Sequence, residues 1–214
     1  MPLVGYHVDM ASPFSSDTEL LRAEIAAAAA RLIAEDGLDY NTAKRKAAKQ
    51  ILGNNKVRGD ILPDNAQLEE EVRAYNAIFF GDTQPARLLH LRQVALALMQ
   101  ELGQFGPYLT GAVLNGTAGE HSDIHLHLFV DSPKDVEIFL LNKGVQFEVS
   151  EAPHPVSRRD PIETLSFMWR REGAHLTLYP AEDMRQVKAA RDGRIIERAD
   201  IEGVIALLNE SENQ

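Results

Sequence analysis

The spacing of apolar residues changes character near the middle of the chain. In the first half they recur three and four positions apart, which predicts amphipathic helices over residues 19–35, 42–52, 64–80 and 85–102. Asp64 and Gln67 have the spacing of a capping box at the start of the third helix. From there on the apolar runs are short and alternate with polar residues, which predicts strands over residues 109–114, 124–130, 145–149, 164–170 and 174–179. The last two strands are predicted to form a hairpin that turns at Glu172-Gly173. A helix that begins after Ser132 separates the second strand from the third, and helices over residues 182–190 and 200–208 close the chain.

This order of elements predicts the fold class. Four helices, then two strands, a helix, three strands and two helices indicate an α+β protein, with a helical N-terminal region packed on a mixed β-sheet with flanking helices. The expected organisation is a flexible N-terminal arm over residues 1–16, a helical region over 17–106 and an α/β region over 107–214 that includes the two C-terminal helices.

Composition excludes several classes of function. The chain has no Cys, which rules out disulfides, thiolate zinc sites and cysteine nucleophiles. It contains no P-loop, G-x-S-x-G or H-E-x-x-H motif. No apolar run is long enough to span a bilayer and no signal peptide is recognised, so we expect a cytoplasmic protein without a membrane partner.

A basic segment interrupts an otherwise acidic chain, whose formal net charge is -10. Residues 41–58 contain six Lys or Arg and no Asp or Glu. Such a segment is either a solvated helix face or a polyanion-binding patch. The candidates for polyanion binding are Lys44, Arg45, Lys49, Lys56 and Arg58.

The richest candidate site lies in GTAGEHSDIHLHLFVD, residues 116–131. Because side chains alternate along a strand, Asp123, His125 and His127 share one face. His175 and Thr177 share a face of the last predicted strand in the same way. If the two strands are neighbours, these side chains meet on one polar face, which is either a site or the solvated side of a one-sided sheet.

The sequence around this face resembles a known family, and the resemblance implies a function for the face. The stretch TGAVLNGTAGEHSDIHLHLFVD, followed by a helix and further strands, resembles the polymerase-beta-like nucleotidyltransferase superfamily over about residues 108–180. That superfamily has an apolar strand, a Gly-Ser turn that cradles a triphosphate, a strand with carboxylates at i and i+2, and a third carboxylate on a later strand. Ligands two apart on a strand point the same way, as binding of metal and phosphate requires.

The resemblance implies a role for each matching residue. Gly116, Thr117 and Gly119 would contact phosphate, and Asp123 would be the metal carboxylate. His125 stands in place of the second carboxylate, and the third position falls near His175 or Thr177. The chain therefore resembles a degenerate member, with Asp123 and His125 as candidate catalytic residues, an NTP or nucleic-acid end as ligand, Mg²⁺ as the family's metal, and reduced or no standard transferase activity.

Two alternatives remain open at this point. Imidazole suits transition metals, so Asp123, His125, His127 and His175 could hold Zn²⁺ in a histidine-based hydrolase, or act in a phosphodiesterase of the two-histidine kind, which the stretch AHLTL resembles. The other alternative is a non-catalytic interaction protein in which the polar residues only solvate the sheet. The sequence assigns neither a substrate nor an oligomeric state.

Overall fold

The structure is a computed structural model, and it describes residues 13–53, 59–154, 160–185 and 197–212. Within these ranges it contains seven α-helices and one five-stranded mixed sheet. The predicted α+β class with a helical N-terminal region is therefore confirmed. Residue contacts divide the chain into two units, Met1–Phe79 and Phe80–Gln214. The helical region expected over residues 17–106 is thus shared between the two units, and the arm expected over residues 1–16 lies mostly outside the described residues.

The first unit consists of three helices, α1 (Pro13–Asp36), α2 (Tyr40–Leu52) and α3 (Asn65–Phe79). Asp39 caps α2, because its Oδ1 accepts a hydrogen bond from the Thr42 N–H at 3.0 Å. Asp64 and Gln67 form the predicted reciprocal capping box at the start of α3, with bonds of 2.8 and 3.1 Å. Small and branched apolar residues fill the interior of this unit: Ile25, Ala29, Ala43, Ala47, Ala48, Leu68 and Val72.

The second unit holds the sheet. Its elements are α4 (Gln84–Glu101), β1 (Tyr108–Thr110), α5 (Ala112–Asn115), β2 (Ile124–Val130), α6 (Pro133–Asn142), β3 (Glu148–Ala152), β4 (Ile162–Trp169), β5 (Glu172–Pro180), a 3-10 turn (Ala181–Arg185) and α7 (Ile201–Glu212). The strand order is β1-β2-β5-β4-β3. The central pair β2–β5 is parallel and the other three pairs are antiparallel.

The two faces of the sheet differ in polarity. On β2 and β5, the residues Ile124, Leu126, Leu128, Ala174, Leu176 and Leu178 are buried in the main apolar core, together with residues of α4, α6 and α7. Because strand side chains alternate, the intervening residues of β2 and β5 project to the opposite face. That face carries the histidines of both strands. The alternation of apolar and polar residues along the sequence therefore places the core on one face of the sheet and the candidate site on the other.

Four predicted elements differ from the structure. The strand expected over residues 109–114 ends at Thr110, because Gly111 takes a φ of 73° and ψ of -154° and the chain then forms the short helix α5. The strand expected over residues 145–149 is displaced to Glu148–Ala152, because the Val145 N–H donates to the Leu140 carbonyl and completes the end of α6. The described part of the helix expected over residues 182–190 is a 3-10 turn.

The fourth difference is the hairpin turn. We predicted it at Glu172-Gly173, but these residues pair with Trp169 and Met168 in the ladder of β4 and β5. The turn is formed by Arg170 and Arg171, whose φ values of 50° and 73° are those of a tight two-residue turn that usually takes Gly or Asn. Two consecutive arginines carry no sequence signal for a tight turn. The turn was therefore predicted at the nearby glycine.

None of the helices in the described ranges combines the length and the apolar content needed to cross a membrane.

Candidate functional site

The parallel pairing of β2 with β5 brings the predicted residues together. In the register of these strands His125 lies opposite His175, and His127 lies opposite Thr177. The rings of His125 and His175 are stacked, with centroids 4.8 Å apart and an interplanar angle of 19°. The sequence alternation therefore predicted a shared face that the structure contains, and the register adds the specific His125–His175 contact.

Asp123, His175 and Ser166 form a continuous chain of hydrogen bonds. The Nε2 of His175 lies 3.1 Å from Oδ2 of Asp123, and its Nδ1 lies 2.8 Å from the Ser166 hydroxyl. When Asp123 is ionised and the imidazole is neutral, the carboxylate can only accept, so Nε2 donates to Asp123 and Nδ1 accepts from the hydroxyl. Sequence reasoning missed Ser166, because only the pairing of β4 with β5 places it opposite His175.

Gly173 makes room for the carboxylate in this chain. A Cβ atom at position 173 would lie 2.2 Å from Oδ1 and 2.6 Å from Cγ of Asp123, far inside van der Waals contact. Asp123 therefore lies directly against the backbone of β5, in a space that any side chain larger than hydrogen would fill. The prediction used Gly173 only as a turn signal, whereas its structural role is to accept the Asp123 side chain.

A cavity of about 740 Å³ opens over this end of the sheet. Its lining includes all three members of the hydrogen-bonded chain, Asp123, Ser166 and His175, and the hairpin residue Arg171. A cavity of this size can receive a small organic ligand. The polar chain is thus accessible from solvent through a defined opening.

A second polar group lines the rim of the cavity. Arg87 on α4 donates two hydrogen bonds of 2.6 Å to the carboxylate of Glu172, and His90 lies 3.0 Å from the same carboxylate. The hydrogen bonds from Arg87 lower the pKa of Glu172, and the ion pair raises the pKa of Arg87. This pair joins α4 to the first residue of β5, next to the Gly173 position.

His127 occupies a different environment from His125. It is half-buried, and its ring lies 5.0 Å from that of Tyr179. Its Nδ1 is buried and has no hydrogen-bond partner among the described residues. Burial, followed by the positive charge of Arg198, lowers the pKa of His127 to about 4. His125 is exposed on the strand, but partial desolvation of its ring, and then the neighbouring His175, also lower its pKa. Both rings are therefore neutral at pH 7.

The lowered pKa of His127 predicts a pH-dependent stability. His127 binds a proton near pH 6.5 in the unfolded chain but only near pH 4 in the folded chain. The contribution of neutral His127 to the free energy of unfolding is therefore fully present above pH 6.5 and is lost as the pH falls to 4. Between pH 7 and pH 4, we expect the free energy of unfolding to fall by about 2 kcal/mol more in wild type than in His127→Gln. This value is reduced because the His127 side chain is only partly buried.

This prediction can be measured by urea unfolding. The chain has one Trp, Trp169 in β4, so its fluorescence reports on the second unit. His121→Gln, at an exposed histidine of the loop before β2, is the matched control and should behave as wild type. Equal losses of stability in wild type and His127→Gln would contradict the assigned pKa.

The loop that was predicted to bind phosphate is closed on itself. The N–H groups of Gly116 and Ala118 donate to the Ala112 carbonyl, that of Thr117 donates to Asn115 Oδ1, and that of Gly119 donates to the Ser122 hydroxyl. Thr117 is buried, and its hydroxyl also bonds Asn115 at 2.7 Å. Phosphate contact by Gly116, Thr117 and Gly119 stays a prediction, and a phosphate would have to replace these internal bonds.

The predicted polyanion-binding residues are divided by the structure. Lys44 is buried in the helical unit and donates to Asn65 Oδ1. Arg45 and Lys49 are exposed on α2. Lys56 and Arg58 lie outside the described residues. The exposed part of the basic segment that the structure describes is therefore smaller than the sequence suggests.

The proposed metal ligands do not form a preformed cluster. Across the described ranges, no group of three or more His, Asp or Glu side chains is arranged to hold a metal ion. Asp123 and His175 bond each other, and His127, two residues further along β2 than His125, packs on Tyr179. A metal site built from Asp123, His125, His127 and His175 stays a prediction.

Comparison with known proteins adds no assignment. No model of a protein family matches the sequence. A search of curated proteins likewise finds no match. The function of the protein therefore has to be inferred from its fold and from the geometry of the polar face.

Proposed function

We propose that this chain is a protein of the nucleotidyltransferase fold that binds a nucleotide or a nucleic-acid end on the polar face of its sheet. The parallel β2–β5 register carries the proposal. Asp123 and His125 occupy the two positions at which the superfamily has metal carboxylates. The register places both of them beside His175 on the neighbouring strand. His175 occupies the region in which the resemblance expects the third carboxylate.

The bend after β1 supports the same proposal. The resemblance requires a glycine bend directly after an apolar strand, and β1 ends at Thr110, immediately before Gly111. A Cβ atom at Gly111 would lie 3.9 Å from the Cβ of His125, so the bend borders the polar face. Gly111 meets this requirement more directly than Gly116 and Thr117, which follow the short helix α5.

The side chains favour binding over standard transfer chemistry. Two-metal phosphoryl transfer depends on several carboxylates around hard cations. At the two positions that match the metal carboxylates of the superfamily, this face offers one carboxylate, Asp123, and one imidazole, His125, beside His175, a set that suits a transition metal better than Mg²⁺. The proposal therefore assigns Asp123 to contact with the ligand and places no catalytic step on magnesium.

The remaining expectations follow from this function. The partner would be a nucleotide or nucleic-acid end, and the exposed cations Arg45 and Lys49 would be a second polyanion contact. A cytoplasmic location is part of the proposal, because nucleotides are abundant there and the chain has no Cys that would need an oxidising compartment.

A thermal-shift experiment with NTP and Mg²⁺ tests the proposed function. A ligand at about 100 times its Kd stabilises the protein by about 2.7 kcal/mol, which raises the Tm by several degrees. Asp123→Asn should remove most of this increase, because it removes the carboxylate that contacts the ligand. Asp135→Asn, an exposed carboxylate on α6, is the control and should keep it.

Two results would contradict the proposal. One is the absence of any NTP-dependent rise in Tm, and the other is an equal rise in wild type and Asp123→Asn. A rise produced by Zn²⁺ without nucleotide, and lost in His125→Ala, would instead support the histidine-based metal site.

A further inference from the structure

We propose that Ser166 is a nucleophile toward carboxylic esters, activated by His175 and oriented through Asp123. This activity goes beyond nucleotide binding and does not depend on it. The bonds Ser166–His175–Asp123 form the hydroxyl–imidazole–carboxylate order that activates serine nucleophiles. The chain has no G-x-S-x-G motif, but such groups are defined by geometry and not by spacing in the sequence.

Access and protonation both favour the reaction. Ser166, His175 and Asp123 line the same cavity of about 740 Å³, so a substrate can reach the hydroxyl. Nε2 of His175 donates to Asp123, which leaves the Nδ1 lone pair facing the Ser166 hydroxyl. The imidazole is thus held in the tautomer that can accept the hydroxyl proton.

The fold holds the three groups in place. Ser166 and His175 are register partners on the paired strands β4 and β5. His175 is stacked on His125 at 4.8 Å, and Asp123 lies in the space that Gly173 leaves open. Groups carried by strands and supported from several sides are suited to precise chemistry. A purely solvating polar face does not require this degree of constraint.

The reaction balances with the groups present and water. Ser166 Oγ attacks the ester carbonyl carbon, forming a C–O bond while its proton moves to His175 Nδ1. Collapse of the tetrahedral intermediate breaks the bond to the leaving alcohol, which takes the proton from His175. Water, deprotonated by the same imidazole, then hydrolyses the acyl-serine and regenerates the hydroxyl.

Two residues could stabilise charge during this reaction. The Asp123 carboxylate faces the imidazolium that forms on His175. Arg171 lines the cavity and makes no ion pair with another described residue, so its guanidinium is available to the oxyanion. Its unusual φ of 73° is part of the turn that brings it to the cavity.

Labelling with diisopropyl fluorophosphate tests the proposal on the full chain. Oγ attacks phosphorus, a P–O bond forms, the P–F bond breaks and fluoride leaves, so mass spectrometry should find one adduct per chain, on Ser166. Ser166→Ala should lose the adduct and reduce hydrolysis of p-nitrophenyl acetate to the level of solvent. Ser150→Ala, an exposed serine on β3, should retain both.

A second variant separates activation from folding. Asp123→Asn keeps the nucleophile, and we expect it to slow labelling of Ser166 at least tenfold with an unchanged Trp169 unfolding curve. No adduct, an adduct at another residue, or equal hydrolysis by wild type and Ser166→Ala would overturn the proposal. Ser166→Ala should leave the NTP-dependent rise in Tm intact, so failure of this activity and failure of nucleotide binding are distinguishable.

Discussion

Replacing Glu172 with Gln is expected to lower the free energy of unfolding of the second unit by about 3 kcal/mol. The side chains of Glu172 and Arg87 are only 11% and 25% exposed, and two 2.6 Å bonds join them. Glutamine keeps the volume but removes the charge, so the Arg87 guanidinium is left without its counter-ion. His90 loses its carboxylate partner in the same step.

An exposed ion pair provides the matched control for this prediction. Glu101 and Lys143 lie 2.9 Å apart, but their side chains are 42% and 50% exposed. Exposed pairs contribute about 0–1 kcal/mol, so Glu101→Gln should have little effect. Urea unfolding followed by Trp169 fluorescence measures both variants on the same unit.

The pH dependence distinguishes the ion pair from a packing effect. The pKa of Glu172 lies below the ordinary value of 4.5, so its contribution is present above pH 4.5 and is lost as the pH falls through the lowered pKa. The difference between wild type and Glu172→Gln should therefore decrease in acid. A difference that is small at pH 7, or constant down to pH 2, would show that the pair does not stabilise this unit.

Alanine at position 173 is expected to displace Asp123 and to destabilise the second unit by about 2 kcal/mol. The added Cβ would overlap the Asp123 carboxylate, whose Oδ1 lies 2.2 Å from the Cβ position. The Asp123 side chain has to move, and the bond to His175 breaks with it. Gly173 has no positive φ, so the effect comes from overlap and not from backbone strain.

Gly119→Ala is the control for this substitution. Nothing lies within 4 Å of a Cβ at Gly119, so its stability should be close to that of wild type. We expect Gly173→Ala to slow labelling of Ser166 by diisopropyl fluorophosphate and to weaken the NTP-dependent rise in Tm, because both depend on the position of Asp123. If Gly173→Ala matched wild type in its labelling rate, its NTP-dependent rise in Tm and its stability, Asp123 would not be positioned by this glycine.

Several features of the protein could be predicted from the sequence, because they are encoded by neighbours along the chain. The apolar repeat of three and four predicted α1 to α4, and the alternation over residues 124–130 matched β2 at both ends. The Asp64–Gln67 capping box was readable from its spacing of three. The same alternation predicted that Asp123, His125 and His175 would share a face if their strands were neighbours.

The composition of the site was decided by tertiary structure. Ser166 enters it because β4 pairs with β5, and the Asp123–Gly173 contact joins residues that are far apart in sequence. Phosphate contact at Gly116 stays a prediction, and only the structure shows that the N–H groups of this loop bond within it and that a glycine bend beside His125 is at Gly111.

The sequence by itself determined α1 to α4, the strands β2, β4 and β5, and which face of β2 and β5 is polar, because side-chain direction repeats with a local period. Only the tertiary structure decided which polar side chains meet. Strand register is set by pairing between distant segments and by the space that each residue leaves, and a shift of one residue would move every side chain of β5 to the opposite face. The site is therefore a property of the β2–β5–β4 register.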